Sequence, residues 1–270
     1  MSRLSAILFV LIAALILGGC QQSRSKGLFN RFFEPKPLRV GMTLDAPPLT
    51  FRKDDVAAGL EMQFASGLAG FIERPLEIVE VPRDGIAKAL LDKKVDILMT
   101  GMTVADAHNQ KLATSNPYFL SGQVALVHLD DFPLYGTGTR HLTAKNARLG
   151  VVGDSSGDTL LKGLGPKGKI TRYPSASEAV KALLADTVDV FLFDLPTNAY
   201  FAAQYIDKGL TPGTALLTRE PLAWAIRPDD GTLRAAANDY LASLEENGEL
   251  QKMLEQTIPF YRNTAYSPKQ

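Results

Sequence analysis

The sequence predicts an α/β fold built as two similar lobes, and three observations carry that expectation. Short apolar runs alternate with helical patterns along most of the chain, which is the signature of a largely parallel sheet with helices on its faces. The string A-L-L-x-x-x-V-D-[IV] occurs twice, at 89–97 and at 182–190, each time closing a helical pattern and entering an apolar run, Ile97-Leu98-Met99 or Val190-Phe191-Leu192-Phe193. A chain of 270 residues, 46% hydrophobic and 21% charged, is long and apolar enough for two cores.

The first half opens on a strand at 38–42, followed by a turn at Asp45-Ala46-Pro47-Pro48. A helix is predicted at 60–72, because Leu60, Phe64, Leu68 and Phe71 recur on one face. A strand at 76–81, a helix at 84–93 and a strand at 95–99 complete this half. The second half repeats the order, with strands at 148–152, 169–173 and 188–193 and helices at 157–163 and 176–185. A strand at 222–227 follows. Leu233, Ala237, Tyr240, Leu241 and Leu244 then form the apolar stripe of a helix that Gly248 ends, and 249–257 adds a last short helix. In open α/β sheets ligands sit at the carboxyl ends of strands, so the loops 99–103, 153–157 and 193–196 mark a cleft between the lobes.

The amino end is different. Arg3 and the apolar run 4–17 read as a secretory leader over 1–19, too short to span a bilayer comfortably. Leu17-Gly18-Gly19-Cys20 resembles the lipobox of bacterial lipoproteins, which implies a diacylglycerol on Cys20 and a soluble body on a tether at 20–37. Localisation is then extracytoplasmic, anchored to a bacterial membrane. Cys20 is the single cysteine, so no internal disulfide is expected. Lys+Arg and Asp+Glu are both 29 with no basic run, which argues against nucleic acid as a partner. Three histidines without metal-ligand spacing, and no G-x-x-x-x-G-K loop, predict no metal and no cofactor.

GDSSG at 153–157 fits the nucleophile pattern G-x-S-x-G. That reading fails on chain order: an α/β-hydrolase histidine follows its serine, and His108, His128 and His141 all precede Ser155. Ser155 and Ser156 stand at a strand-to-helix junction, where serine caps free N–H groups and the helix start can hold an anion. Asp154 and Asp158 count against an anion there.

The strings V-D-I-L-M-T-G-M-T-V at 95–104 and S-N-P-Y-F-L-S-G at 115–122 resemble the family 3 solute-binding proteins, the receptors of polar amino acid ABC importers. L-R-V-G at 38–41, G-L-E at 59–61, D-L-P at 194–196 and N-G-E-L at 247–250 extend the resemblance over about 38–260. It implies two Rossmann-like lobes joined by two hinge strands, the type II periplasmic-binding-protein-like fold. Lobe 1 would hold 38–126 and 220–270 and lobe 2 would hold 127–219, with hinges at 125–128 and 218–221. A small polar solute and an ABC permease are the implied partners, a monomer is expected, and catalysis is not.

By the same resemblance Asp194 would hold the ligand's ammonium, Thr100, Gly101 and Thr103 would form the lobe 1 rim, and Ser155 and Ser156 the lobe 2 loop. The family's carboxylate-binding arginine falls on His108, and two aromatic positions fall on Ala46 and Arg83. Arg83 could supply the missing charge; His108 could bind a carboxylate when protonated, though without arginine's bidentate fork. Competing readings are a dehydratase-like enzyme using His108 and Asp194, and a lipoprotein sensor or scaffold; Gln21-Gln22 after Cys20 resembles outer-membrane sorting and favours the latter. Glu61 reads as a helix-dipole partner, Trp224 as packing, and Asp96 and Asp189 as turn-closing residues.

Overall fold

The structure is a computed structural model and describes residues 35–261. The leader, Cys20 and nearly all of the tether lie outside the described residues, as does the chain from 262 onward. In order, the chain forms β1 (Leu38–Met42), β2 (Asp45–Ala46), β3 (Thr50–Lys53), β4 (Val56–Ala58), α1 (Leu60–Phe71), β5 (Leu76–Glu80), α2 (Ile86–Leu91), β6 (Ile97–Leu98), α3 (Val104–Asn109), β7 (Ala113–Thr114) and β8 (Phe119–Ser121). It continues with β9 (Gln123–His128), α4 (Phe132–Tyr135), β10 (Arg148–Val152), α5 (Ser156–Leu164), β11 (Lys169–Tyr173), α6 (Ala176–Leu184), β12 (Val190–Asp194), α7 (Leu195–Gln204) and β13 (Leu210–Pro212). The chain then returns through β14 (Glu220–Leu222), β15 (Ala225–Ile226), α8 (Gly231–Glu246) and α9 (Glu249–Thr257).

Two five-stranded sheets define the lobes: β5-β1-β6-β15-β7 in the first and β11-β10-β12-β9-β13 in the second. In each, the first strand of the half lies between two parallel partners, β1 between β5 and β6, and β10 between β11 and β12. Alternate residues feed cores on opposite faces. Val190 and Leu192 pack with Leu149, Val151 and Leu161, whereas Phe191 packs with Val180, Leu183 and Phe201. In the first lobe Ile97 joins Phe64, Leu68 and Trp224, while Leu98 joins Val81, Leu90 and Val95. Strands covered on both faces are written as continuous apolar runs for this reason.

The internal repeat is also a repeated clamp. In lobe 1 Asp96 accepts hydrogen bonds from the backbone N–H of Arg39 at 3.0 Å and from its guanidinium at 2.7 Å. In lobe 2 Asp189 accepts from the backbone N–H of Arg148 at 2.8 Å and from its guanidinium. Each arginine also donates to a carbonyl at the end of the preceding helix, that of Lys93 or Asp186, and both of those residues have positive φ. Asp96 and Asp189 therefore do more than close turns: each ties the first strand of its lobe to the helix-to-strand corner that leads into β6 or β12.

The hinge differs from the sequence expectation. Residues 125–128 lie inside β9, whose Q-V-A-L-V-H run pairs antiparallel with β12 in the middle of the second sheet. The chain crosses between lobes earlier, through β8, which pairs antiparallel with β14. A lobe boundary at 126 thus falls within a strand of the second sheet, whose Ala125, Leu126 and Val127 fill that lobe's two cores while Val124, at its start, joins the core of lobe 1. The second crossing runs through 218–222. Two smaller differences occur. The expected helix at 84–93 is a 3₁₀ turn, Arg83–Gly85, followed by α2. Phe71 is half exposed at the end of α1, with its ring 5.6 Å from that of Tyr240.

Candidate functional site

Three predicted site residues are helix caps. Thr103 begins α3: its Oγ1 accepts from the N–H of Asp106 at 3.0 Å and donates to the Asp106 carboxylate at 2.7 Å. Ser155 begins α5: its Oγ accepts from the N–H of Asp158 at 3.2 Å and donates to the carbonyl of Val152 at 2.7 Å. Asp194 ends β12 and begins α7, where Oδ1 accepts from the N–H of Thr197 at 3.0 Å. In all three, a short polar side chain satisfies an N–H group that the first helical turn leaves without a partner.

A cavity of about 580 Å³ lies between the lobes. Thr103, Asp106 and Asn109 line it from lobe 1, Ser155, Ser156 and Thr159 from lobe 2, and Arg219 and Glu220 from the second crossing. Ser155 is held in its cap, whereas Ser156 is exposed to the cavity and carries the free hydroxyl. Thr100 and Gly101 stand in the loop between β6 and α3. Gly101 has φ +68°, a left-handed conformation that favours glycine, and a Cβ there would meet the tip of the Leu49 side chain at 2.6 Å.

The expectation that Asp158 opposes an anion at this loop is overturned. Asp158 is fully buried and bound by Arg172 at 2.8 Å and Lys162 at 2.9 Å. The Arg172 guanidinium, aided by Lys162, holds its carboxyl down at about 2. Its charge is neutralised within lobe 2. Asp194 is shifted the other way: burial raises its pKa against the N–H of Thr197, and Glu220 adds to the rise. Glu220 itself accepts from Thr218 Oγ1 at 2.7 Å and Gln123 Nε2 at 3.2 Å.

Beneath the Gly101 loop lies a group whose role the sequence did not disclose. Glu61 is completely buried. Its Oε1 accepts from the Gly101 N–H at 2.8 Å and from the Tyr118 hydroxyl at 2.5 Å, and its Oε2 accepts from Trp224 Nε1 at 2.9 Å. Tyr118 immediately precedes β8 and Trp224 lies just past β14. One carboxylate therefore joins the cleft loop to both chain crossings. Burial raises its pKa to about 7, against the pull of these three donors. Trp224 does pack, stacked on Tyr118 at 5.8 Å and edge-on to Phe64 at 5.4 Å, but its indole N–H also serves this acceptor.

The profile of the bacterial extracellular solute-binding proteins, family 3, matches residues 38–259. The chain belongs to this family. It is 26% identical to the L-cystine-binding protein TcyJ of Escherichia coli over 93% of each chain. Among solved structures, an ancestral cationic amino acid solute-binding protein is 29% identical, with a TM-score of 0.75 over 82% of this chain and 95% of its own. A lysine complex of an ABC transporter binding component from Wolinella succinogenes is 28% identical, with a TM-score of 0.74 over the same shares. The fold is that of type II periplasmic amino-acid-binding proteins.

Within this family fold, the two sequence candidates for the missing positive charge do not line the cavity. His108 is exposed in the last turn of α3. Arg83 is exposed and donates to Asp45 at 2.8 Å. Sequence reasoning passed over Arg219 and Glu220, since T-R-E-P carries no motif; their place at the cavity is set by the pairing of β14 with β8. Among the described residues, no group of three or more His, Cys, Asp and Glu is arranged to hold a metal ion, and no helix is long and apolar enough to cross a membrane.

Proposed function

We propose that this chain captures an amino acid with a positively charged side chain between its lobes and delivers it to an ABC importer, from a position outside the cytoplasm where Cys20 anchors it by lipid. The observation that carries this reading is the cavity lined from both lobes and the second crossing: a solute there touches both bodies and favours the form in which they are closed. Among the described residues its lining holds three carboxylates, Asp106, Asp154 and Glu220, against one guanidinium, Arg219, an excess of negative charge that suits a cationic solute. The lysine complex and the ancestral cationic amino acid binder lend support. Asp194, partly exposed at the end of β12 and not itself among the cavity-lining residues, is assigned the α-ammonium on the family resemblance.

The dehydratase-like alternative has one observation in its favour: a solved relative, 29% identical, is described as a precursor of cyclohexadienyl dehydratase. It requires His108 and Asp194 to act together, and His108 is exposed in the last turn of α3, outside the residues that line the cavity.

The test is a thermal-shift screen of protein freed of co-purified ligand by unfolding and refolding, against basic, neutral and acidic amino acids, with prephenate as the enzyme control. A ligand at one hundred times its Kd stabilises the native state by about 2.7 kcal/mol, a rise of several degrees. Lysine, arginine or a related base is expected to give it and glutamate is not. A flat response to every amino acid would overturn the reading. In whole cells, Cys20→Ser is expected to release the protein from the membrane fraction; unchanged membrane recovery would remove the lipid anchor from the proposal.

A further inference from the structure

The basic side chains around the strand ends are nearly all engaged. Arg52 is paired with Glu80, Arg83 with Asp45, and Arg172 and Lys162 with Asp158. Arg219 is different. Among the described residues it is the only positively charged one lining the inter-lobe cavity, it is exposed, and its side chain has no hydrogen bond or ion pair. Its backbone, by contrast, is held on both sides. Thr218 Oγ1 accepts from the Gln123 N–H at 2.8 Å and donates to Glu220 at 2.7 Å, and Glu220 is paired with Ser121 across the two crossings. A free guanidinium on a fixed base, lining the same cavity as the exposed Ser156, is suited to a planar anion.

We infer that Arg219 binds the carboxylate of the solute, supplying from the second chain crossing the positive charge that the resemblance places at His108. The carboxylates that share the cavity do not consume it: Asp106 is engaged by the Thr103 hydroxyl, and Glu220 by Thr218 and Gln123. Asp154, fully exposed, is nearest a different cation, Lys162, at 3.9 Å. The assignment rests on the amino-acid-binding reading above and adds to it the group that distinguishes an amino acid from the corresponding amine.

Titration calorimetry on ligand-stripped wild type, Arg219→Ala, Arg219→Lys and His108→Ala tests it, with lysine and arginine as probes and their decarboxylated amines, cadaverine and agmatine, as controls. Loss of a charge-assisted bidentate contact is expected to weaken amino acid binding by roughly 10- to 100-fold in Arg219→Ala. Arg219→Lys is expected to fall between, His108→Ala to match wild type, and amine binding to stay within about twofold in every variant. Arg219 is exposed and unbonded, so each variant is expected to melt unligated like wild type. Wild-type affinity in Arg219→Ala, or a loss confined to His108→Ala, would overturn the assignment while leaving the amino-acid-binding reading intact. A wild type that binds none of these probes would overturn that reading, and the assignment with it.

Discussion

Glu61 shows how much one buried group can organise. Its donors come from the cleft loop and from both sides of the inter-lobe connection, 40, 57 and 163 positions away in sequence. Its pKa, raised by burial from 4.5 to about 7, fixes the sign of a pH dependence. Between those two values the native state holds a proton that the unfolded chain has released, so the contribution of Glu61 to stability falls as pH rises through that window and is level above it. The full difference is about 3 kcal/mol. Glu61→Gln removes the titration but places an amide N–H₂ among N–H and O–H donors, a cost of about 1–3 kcal/mol. The variant is therefore expected to be clearly less stable than wild type at pH 5, with the gap narrowing by pH 8. Urea denaturation at the two values measures this, and a gap that stays constant would show that Glu61 does not titrate there.

At the scale of an element, the start of α5 separates two kinds of serine. Ser155 is occupied on both sides, by the Asp158 N–H and the Val152 carbonyl, whereas Ser156 faces the cavity with its hydroxyl free. Ser155→Ala is expected to cost about 1 kcal/mol of stability. Ser156→Ala is expected to leave stability unchanged and to weaken solute binding several-fold, by loss of a hydrogen bond worth about 1 kcal/mol. Melting curves and calorimetry on the pair distinguish the roles, and equal effects on both readouts would reject the distinction. The capping serine was legible in the sequence because a strand-to-helix junction needs a local acceptor. Most of the long strands and helices were legible because their apolar periodicity and the repeated A-L-L-x-x-x-V-D are local patterns too, but the ten-residue α7 was passed over. The edge strands β7 and β13 are two and three residues long, too short to show a period. β9 reads as a generic apolar run, and only its pairing with β12 shows which lobe owns it. Arg219 and the donors to Glu61 were hidden for the same reason, since their meaning depends on contacts between segments far apart in the chain.

For the whole molecule, the lobes meet at more than the paired crossings. Phe51 on β3 of lobe 1 and Tyr200 on α7 of lobe 2 have ring centroids 6.3 Å apart, tilted by 45°. Phe260, past α9, packs against core residues of both lobes. A contact between side chains of opposite lobes, outside β8 and β14, persists only while the lobes are near one another, so it biases the equilibrium that a solute exploits. An aromatic pair contributes about 0.5–1.5 kcal/mol, enough to move that equilibrium by roughly two- to tenfold. Tyr200→Ala is expected to populate a more open form without solute and to bind solute more weakly by the same factor, because each binding event must then supply the lost closure energy. Solution scattering would show a larger radius of gyration for the unligated variant that returns to the wild-type value at saturation. A variant with wild-type dimensions and wild-type affinity would mean that the Phe51–Tyr200 contact survives equally in both forms and gives no preference for closure.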